Sequence, residues 1–128
     1  MMYAKGSAAE REFAELVWRW GFAAVRSAGS GNLKAGARYY SPDIVAAKKG
    51  VTFAFECKFR KGYVKLSDED LHSLKEWCSR AGCRGFLAWK ISRRGWWLLD
   101  IEQLNRGLNE ASMQRTALSF NDFMSRFA

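Results

Sequence analysis

The stretch SPDIVAAKKGVTFAFECKF, residues 41–59, decides the fold that we expect for this chain. Two apolar runs flank Lys49-Gly50, and a glycine in the second position of a two-residue turn is typical of a type I′ β-hairpin. In the register that this turn sets, Asp43 lies directly opposite Glu56. Directly opposed residues share one face of a hairpin, with Cβ atoms about 4.5–5.5 Å apart. The sequence therefore predicts two carboxylates side by side.

A third charged residue joins this pair. Lys58 follows Glu56 by two positions and points to the same face, whereas Phe53, Phe55 and Cys57 point to the other face and are predicted to serve the core. Charged side chains are rarely buried without partners, so the cluster is either a structural ion network or a working site. Two adjacent carboxylates repel each other unless one is protonated or a cation lies between them.

The three side chains together meet the needs of phosphodiester hydrolysis. Mg²⁺ and Mn²⁺ prefer oxygen ligands of the kind that Asp43 and Glu56 offer. A metal ion held there can bind a phosphate oxygen and acidify a water molecule, while Lys58 stabilises the negative charge that develops. The sequence therefore favours a catalytic metal site over a structural network.

Helices and further strands surround the hairpin. Helical periodicity extends over residues 7–20 and 67–82, with Gly21 ending the first helix and Ser67 and Gly82 bounding the second. The remaining segments are predicted as strands at 22–27, 84–91 and 96–101, one or two helical turns at 102–108, and a last helix at 119–127. This order predicts an α/β fold with a central mixed five-stranded sheet flanked by helices.

The composition bounds the class of protein. A chain of 128 residues, 48% of them hydrophobic, is expected to form a single domain over residues 1–128. Its formal net charge of +8 favours a polyanionic partner, nucleic acid before an anionic membrane. Three cysteines without a CxxC pair indicate neither zinc nor a disulfide framework, and a reducing cytoplasm is expected, the host's if the source is viral. No run approaches a membrane span, so no membrane partner is expected.

The spacing SPD(x)12ECK resembles the PD-(D/E)XK nuclease motif. Further segments that carry a resemblance are KGSAAERE, GFAAVRSAGSG and LHSLKEWCSRAGCRGFLAWK. Together they resemble the archaeal-type Holliday junction resolvases over most of residues 5–90. The resemblance implies a restriction-endonuclease-like nuclease domain and a homodimer that nicks four-way DNA junctions symmetrically, using Mg²⁺ or Mn²⁺.

The resemblance also implies roles for single residues. Asp43, Glu56 and the backbone carbonyl of Cys57 would be metal ligands, and Lys58 would orient the attacking water and the phosphate. Glu10, in the ERE segment, would complete the metal or water shell. Ser30 would lie near the scissile phosphate, and Arg11 and Arg26 would bind the DNA backbone near the site. Apart from the resemblance, charge alone makes further residues candidate contacts with backbone phosphates: Lys34, Arg38, Arg60 and Lys61.

Some of these residues have simpler explanations. Ser7 and Glu10 match a helical capping box, so Glu10 is either a cap or a catalytic acid. Ser30, between glycines, is otherwise an ordinary loop residue. Many members of the family carry a glutamine on the second helix in the region where this chain has Asp70. Asp70 is either another acid at the metal or, more simply, part of the cap formed by Ser67. A group of aromatic residues is expected either to pack in the core or to form a dimer interface: Trp96, Trp97, Phe120, Phe123 and Phe127.

Two other functions compete with junction resolution. The first is another PD-(D/E)XK endonuclease of the repair or restriction type, although a sequence-specific enzyme needs extra segments to read bases and 128 residues leave little room for them. The second is a basic module that binds structured nucleic acid without cutting it. Only the endonucleases require the two acids and a divalent metal.

Overall fold

A computed structural model describes residues 2–27, 39–104 and 107–128. Its helices and strands are, in chain order, α1 (Met2–Arg19), β1 (Ala23–Arg26), β2 (Ile44–Lys48), β3 (Val51–Phe59), β4 (Tyr63–Val64), α2 (Asp68–Ala81), β5 (Arg84–Ile91), β6 (Gly95–Asp100), a short 3₁₀ helix (Ile101–Gln103), β7 (Leu108–Asn109), α3 (Met113–Thr116), β8 (Leu118–Ser119) and α4 (Phe120–Phe127).

The central sheet is mixed, as predicted. Its strands lie in the order β1-β2-β3-β5-β6-β8, with β3 and β5 parallel and the other neighbours antiparallel. The predicted number of five strands was one too few, because Leu118–Ser119 also pairs with β6. Two residues are too short to show the alternation by which a strand is recognised in sequence.

A second, two-stranded sheet was also missed. It pairs β4 with β7, and Leu108 of β7 lies at the end of the segment 102–108 that was predicted as helical turns. Among the described residues of this part of the chain, the helical ones belong to the short 3₁₀ helix Ile101–Gln103, where the Asp100 side chain accepts a hydrogen bond from the Glu102 amide. Tertiary pairing therefore overrides the local preference of the following residues.

The hairpin of β2 and β3 follows the predicted register. Lys48 pairs with Val51 at its closed end, and Ile44 with Phe55 towards its open end. Lys49 and Gly50 both have positive φ, 51° and 87°, as a type I′ turn requires. The register places Asp43, directly before β2, at the position opposite Glu56.

Two apolar layers cover the sheet. The α1 face of the sheet is covered by α1 and α4, and its buried residues include Phe13, Phe53, Phe55, Phe86 and Phe123. The α2 face is covered by α2 and the segment after β6, and its buried residues include Ala54, Leu74, Leu87, Trp89 and Met113. Phe53, Phe55 and Cys57 lie in the first layer, as predicted, and Glu56 between them points to the second.

The aromatic residues of the C-terminal third serve the core. Phe123 and Trp96 are buried in the α1 face, Phe120 and Phe127 pack against them, and Trp97 packs partly buried against the α2 face. Of the two readings of these residues, the structure supports core packing.

Candidate active site

Asp43 is fixed at the open end of the hairpin. It is buried, and its Oδ2 accepts a hydrogen bond of 2.8 Å from the backbone amide of Cys57. Its own carbonyl accepts a hydrogen bond of 2.9 Å from the Ser27 amide, directly after β1. Asp43 is therefore held between the strands on either side of β2, next to Glu56, as the register predicts.

Glu56 is a buried acid in an unfavourable setting for ionisation. The residue is 4% exposed and lies on the central strand β3. Burial, and then the charge of Asp43, raise the pKa of Glu56 to about 9, against the smaller opposing effects of Tyr40 and Lys58. Without a bound cation Glu56 is protonated at neutral pH, so Asp43 and Glu56 together carry less negative charge than two ionised carboxylates would.

Lys58 lies beside the acids without binding either of them directly. It follows Glu56 by two residues on β3 and is half-buried. Its charge lowers the pKa values of both Glu56 and Glu10, against the larger opposing effect of burial. Within the described residues it forms no ion pair.

Glu10 is not a helix cap. Helix α1 begins at Met2, so Ser7 lies inside it and the predicted capping box is wrong. The Ser7 hydroxyl instead accepts hydrogen bonds from the guanidinium groups of Arg11, at 3.0 Å, and Arg26, at 2.6 Å. Glu10 forms an ion pair with Arg26, with 3.3 Å between Oε1 and Nε. Its explanation as a cap is therefore removed.

The electrostatics of Glu10 tie it to the same site. Burial raises the pKa of Glu10, the charge of Asp43 adds to the rise, and Arg26 and Lys58 oppose it. Glu10 reaches the site from α1, on the α1 face of the sheet, whereas Glu56 points to the α2 face. The charge of Asp43 raises the pKa values of both acids, so the three carboxyl groups form one electrostatic cluster.

Tyr40 is a site residue that sequence reasoning did not identify. In sequence it follows Tyr39 at the end of a glycine-rich loop, a place where a tyrosine could stack on an exposed DNA base. The structure instead buries Tyr40 against the α2 face, and its hydroxyl donates a hydrogen bond to Oε1 of Glu56. Tyr39 is 73% exposed. No periodicity in a glycine-rich loop indicates which of two tyrosines turns inward.

The predicted DNA-binding residues fall into three groups. Ser30, Lys34 and Arg38 lie outside the described residues. Arg60 and Lys61 are exposed directly after β3, where the Arg60 carbonyl accepts a hydrogen bond of 3.0 Å from Trp89 Nε1.

Arg11 and Arg26, the third group, share the Ser7 hydroxyl near Glu10. The structure thus brings these two arginines together beside the acids. Asp70 serves the cap of α2 as expected, since its amide donates a hydrogen bond of 3.0 Å to the Ser67 hydroxyl.

The donor set fits a hard divalent cation. In the described residues no three His, Cys, Asp or Glu side chains are arranged ready to hold a metal ion. Each acid has a protein partner instead: Cys57 for Asp43, Tyr40 for Glu56 and Arg26 for Glu10. However, two buried carboxylates with a raised pKa at one of them are what a cation would relieve. Carboxylate oxygens are also the ligands that such a cation prefers.

Comparison with known proteins agrees with this chemistry. A sequence model of the family described as "Archaeal holliday junction resolvase (hjc)" matches residues 1–127. The chain belongs to the archaeal Holliday junction resolvase family. The match extends the resemblance, which was clear in the sequence only to about residue 90, over the C-terminal third. This resolvase family belongs to the PD-(D/E)XK nuclease superfamily.

Individual resolvases are similar over most of the chain. The crossover junction endodeoxyribonuclease Hjc of Archaeoglobus fulgidus is 33% identical over 106 residues, 82% of this chain and 75% of the relative. Its counterpart from Methanocaldococcus jannaschii is 35% identical over 91 residues, 70% of this chain and 62% of the relative. That of Sulfurisphaera tokodaii is 27% identical, over 91% of this chain and 95% of the relative.

The fold of the resolvase family is shared as well. A solved structure of the A. fulgidus Holliday junction resolvase Hjc matches with a TM-score of 0.81 at 27% identity, covering 93% of this chain and 99% of that chain. The predicted mixed α/β fold and the predicted function as a junction-resolving endonuclease are thereby confirmed for the family. Such nucleases depend on a divalent metal ion. No helix in the described parts of the chain is long and apolar enough to cross a membrane.

Proposed function

We propose that this chain forms a homodimer that resolves four-way DNA junctions by paired nicks, each made by phosphodiester hydrolysis with Mg²⁺ or Mn²⁺. The observation that carries the proposal is the pair of buried acids, Asp43 and Glu56, at the open end of one hairpin, with Lys58 two residues further along β3. A structural ion network would be expected to pair its charges directly, but Lys58 forms no ion pair within the described residues.

Each residue of the site has a role in this proposal. Asp43, Glu56 and the carbonyl of Cys57 would hold the metal ion, and Glu10 would complete the shell of ligands or hydrogen-bonded water. A metal ion there would supply positive charge to the phosphate and lower the pKa of a water molecule. Lys58 would orient the attacking water and balance the charge that develops on the phosphate.

The basic residues would position the DNA. Arg26 is held by Glu10 and Ser7, and Arg11 by Ser7, so two guanidinium groups are presented together next to the acids. A guanidinium group can bind two oxygens of one phosphate at once, and such contacts position the DNA backbone without reading the bases. Further contacts with the backbone are proposed for Ser30, Lys34, Arg38, Arg60 and Lys61.

A dimer follows from the symmetry of the substrate. A four-way junction presents two strands for cutting about a two-fold axis, and a dimer with C₂ symmetry supplies two matched sites. We place this dimer in the cytoplasm, of the host if the source is viral, since the three cysteines are free. One nuclease domain over residues 1–128 stays a prediction.

The test separates chemistry from binding. Asp43→Asn, Glu56→Gln and Lys58→Ala should each lower the rate of junction cleavage by at least about 100-fold, because they remove groups that act in the transition state. Glu10→Gln should also lower it strongly. All four variants should still bind the junction, because affinity comes mainly from distributed phosphate contacts. Cleavage and gel-shift assays on the same preparations measure both.

Asp122→Asn, at the exposed start of α4, is a matched control for loss of an acid and should keep wild-type activity. The assays use four-way, duplex and single-stranded DNA, with and without Mg²⁺. Wild-type cleavage by any of the first three variants would contradict the assignment of the site. Binding without cleavage by the wild-type protein would favour the non-enzymatic module, and equal cutting of duplex would favour a general endonuclease.

A further inference from the structure

The segment from Tyr40 to Asp43 is fastened to β3 at both of its ends. At one end the Tyr40 hydroxyl donates a hydrogen bond to Oε1 of Glu56, and at the other Oδ2 of Asp43 accepts a hydrogen bond from the Cys57 amide. The two end residues of this four-residue segment thus contact two consecutive residues of the strand that carries the site. The spacing of the two proposed metal ligands is set by this double attachment.

The attachment at Tyr40 is itself rigid. The side chain belongs to the buried layer on the α2 face, whose members include Val64, Leu66 and Trp89, and the residue is 9% exposed. Pro42, inside the same segment, fixes one of its backbone angles. A phenol is protonated at neutral pH, so the hydroxyl can remain a donor to the carboxyl group of Glu56.

We propose that Tyr40 is a positioning residue for the metal site: by binding one oxygen of Glu56 it orients the carboxyl group and leaves the other oxygen directed to the metal ion. A glutamate side chain has several rotatable bonds, and fixing it before the ion arrives removes an entropic cost from binding. Partners that hydrogen-bond to ligating carboxylates typically contribute about 10–100-fold to metal affinity or activity. This inference rests on the metal-dependent function proposed above.

The alternative is that Tyr40 only anchors the segment in the core. Both explanations predict a stability cost when the whole side chain is removed, so truncation cannot distinguish them. Tyr40→Phe keeps the ring in its layer and removes only the hydroxyl. A purely structural residue would then leave metal affinity unchanged, whereas a positioning residue would not.

The experiment is a titration of the DNA-free protein with Mn²⁺, followed by the electron paramagnetic resonance signal of the free ion. Tyr40→Phe should raise the dissociation constant by about 10–100-fold. Tyr63→Phe, which removes the same atom from an exposed tyrosine in the small sheet, should leave it unchanged. In junction cleavage, the half-saturating Mg²⁺ concentration of Tyr40→Phe should rise by a similar factor, with the rate largely recovered at saturating metal.

The outcomes are distinguishable. Wild-type affinity for Mn²⁺ in Tyr40→Phe would overturn the inference while leaving the proposed function intact. Glu56→Gln serves as the reference for a lost ligand and should bind Mn²⁺ weakly or not at all. If the wild-type protein and Glu56→Gln bind Mn²⁺ equally, the metal site itself is wrong, and the inference fails with it. Melting temperatures of all variants check that each is folded.

Discussion

At Glu56 the demands of folding and of the proposed chemistry oppose each other. A carboxyl group that is 4% exposed and adjacent to Asp43 resists ionisation, yet a metal ligand must be ionised. A divalent cation satisfies both demands, because it supplies the positive charge that burial and Asp43 leave missing. The site is therefore expected to couple protonation, metal binding and stability.

This coupling gives a pH dependence with a definite sign. The pKa of Glu56 is raised from 4.5 to about 9 in the folded protein, so between these values the folded state holds a proton that the unfolded state has lost. Stability of the metal-free protein should therefore fall as pH rises through this window, by at most about 1.4 kcal/mol per pH unit from this group. Glu10, whose pKa is also raised, acts in the same direction.

Urea unfolding in EDTA at pH 5.5, 7 and 8.5 measures the effect, with Glu56→Gln as the comparison. The variant should show a flatter profile and should be more stable than the wild type at pH 8.5. Added Mn²⁺ should stabilise the wild type more at pH 8.5 than at pH 5.5. Parallel profiles for the two proteins would show that Glu56 is ionised in the folded state at neutral pH.

Which residues of the site could be predicted depended on regular geometry. Asp43, Glu56 and Lys58 followed from a turn type and from the alternation of a strand. Tyr40 did not, because an irregular loop has no period that indicates an inward side chain. The capping box at Ser7 misled because its spacing also occurs within helices, and nothing in the first residues indicates where α1 begins.

At the scale of elements, the packing of α2 on β5 depends on a glycine. A Cβ atom at Gly85 would lie 2.6 Å from Cδ1 of Ile101 and 2.8 Å from Sγ of Cys78, closer than real contacts allow. Gly85→Ala should therefore cost about 1–3 kcal/mol of stability through overpacking. Gly6→Ala is a matched control inside α1, with no atom within 4 Å of its Cβ, and should stabilise by about 0.5–1 kcal/mol.

Urea unfolding of the two alanine variants gives both free energies, and opposite signs are the expected result. Destabilisation of equal size in both variants would mean that close packing around Gly85 is not the cause. Metal affinity should be unchanged in Gly85→Ala if the helix shifts as a unit away from the site.

Elements with strong local signals were the predictable ones. The hairpin carries its turn residues, and α2 carries both caps, with Ser67 at its start and Gly82 in the left-handed conformation at its end. The small sheet of β4 and β7 has no such signal. It is stabilised by contacts between residues far apart in sequence: Glu110, directly after β7, accepts a hydrogen bond from the amide of Gly62, directly before β4, and pairs with Arg94.

At the scale of the whole molecule, the sequence predicts that the protein recognises the branched shape of a DNA junction. The sequence has a strong positive charge and no evident segment for reading bases. With a net charge of +8, binding to a four-way junction should weaken steeply with salt, by about 10³–10⁵ between 50 and 200 mM if six to ten phosphates are contacted. Junctions of different sequence should bind alike, because phosphates carry no direct sequence information. Competition in gel shifts at fixed salt measures both properties.

A linear duplex of equal length is the control in that competition. It offers the same phosphates without the branch, so it should compete much less well than a junction. Equal competition would contradict selection by shape. The molecular mass in solution provides a separate check on the assembly, since a dimer should have twice the 14.6 kDa mass of the chain.

The hairpin of β2 and β3 also limits how this protein can change in evolution. Five pairs separate the turn from the acids. One residue inserted in a single strand would move Asp43 away from Glu56. One residue inserted in each strand would keep the two acids opposite each other, but the pair of residues next to the turn would change from a hydrogen-bonded to a non-hydrogen-bonded pair, which a two-residue turn does not fit. Two residues inserted in each strand restore both the type of pair next to the turn and the face to which each side chain points. Relatives with a longer hairpin are therefore expected to have gained residues in multiples of two in each strand.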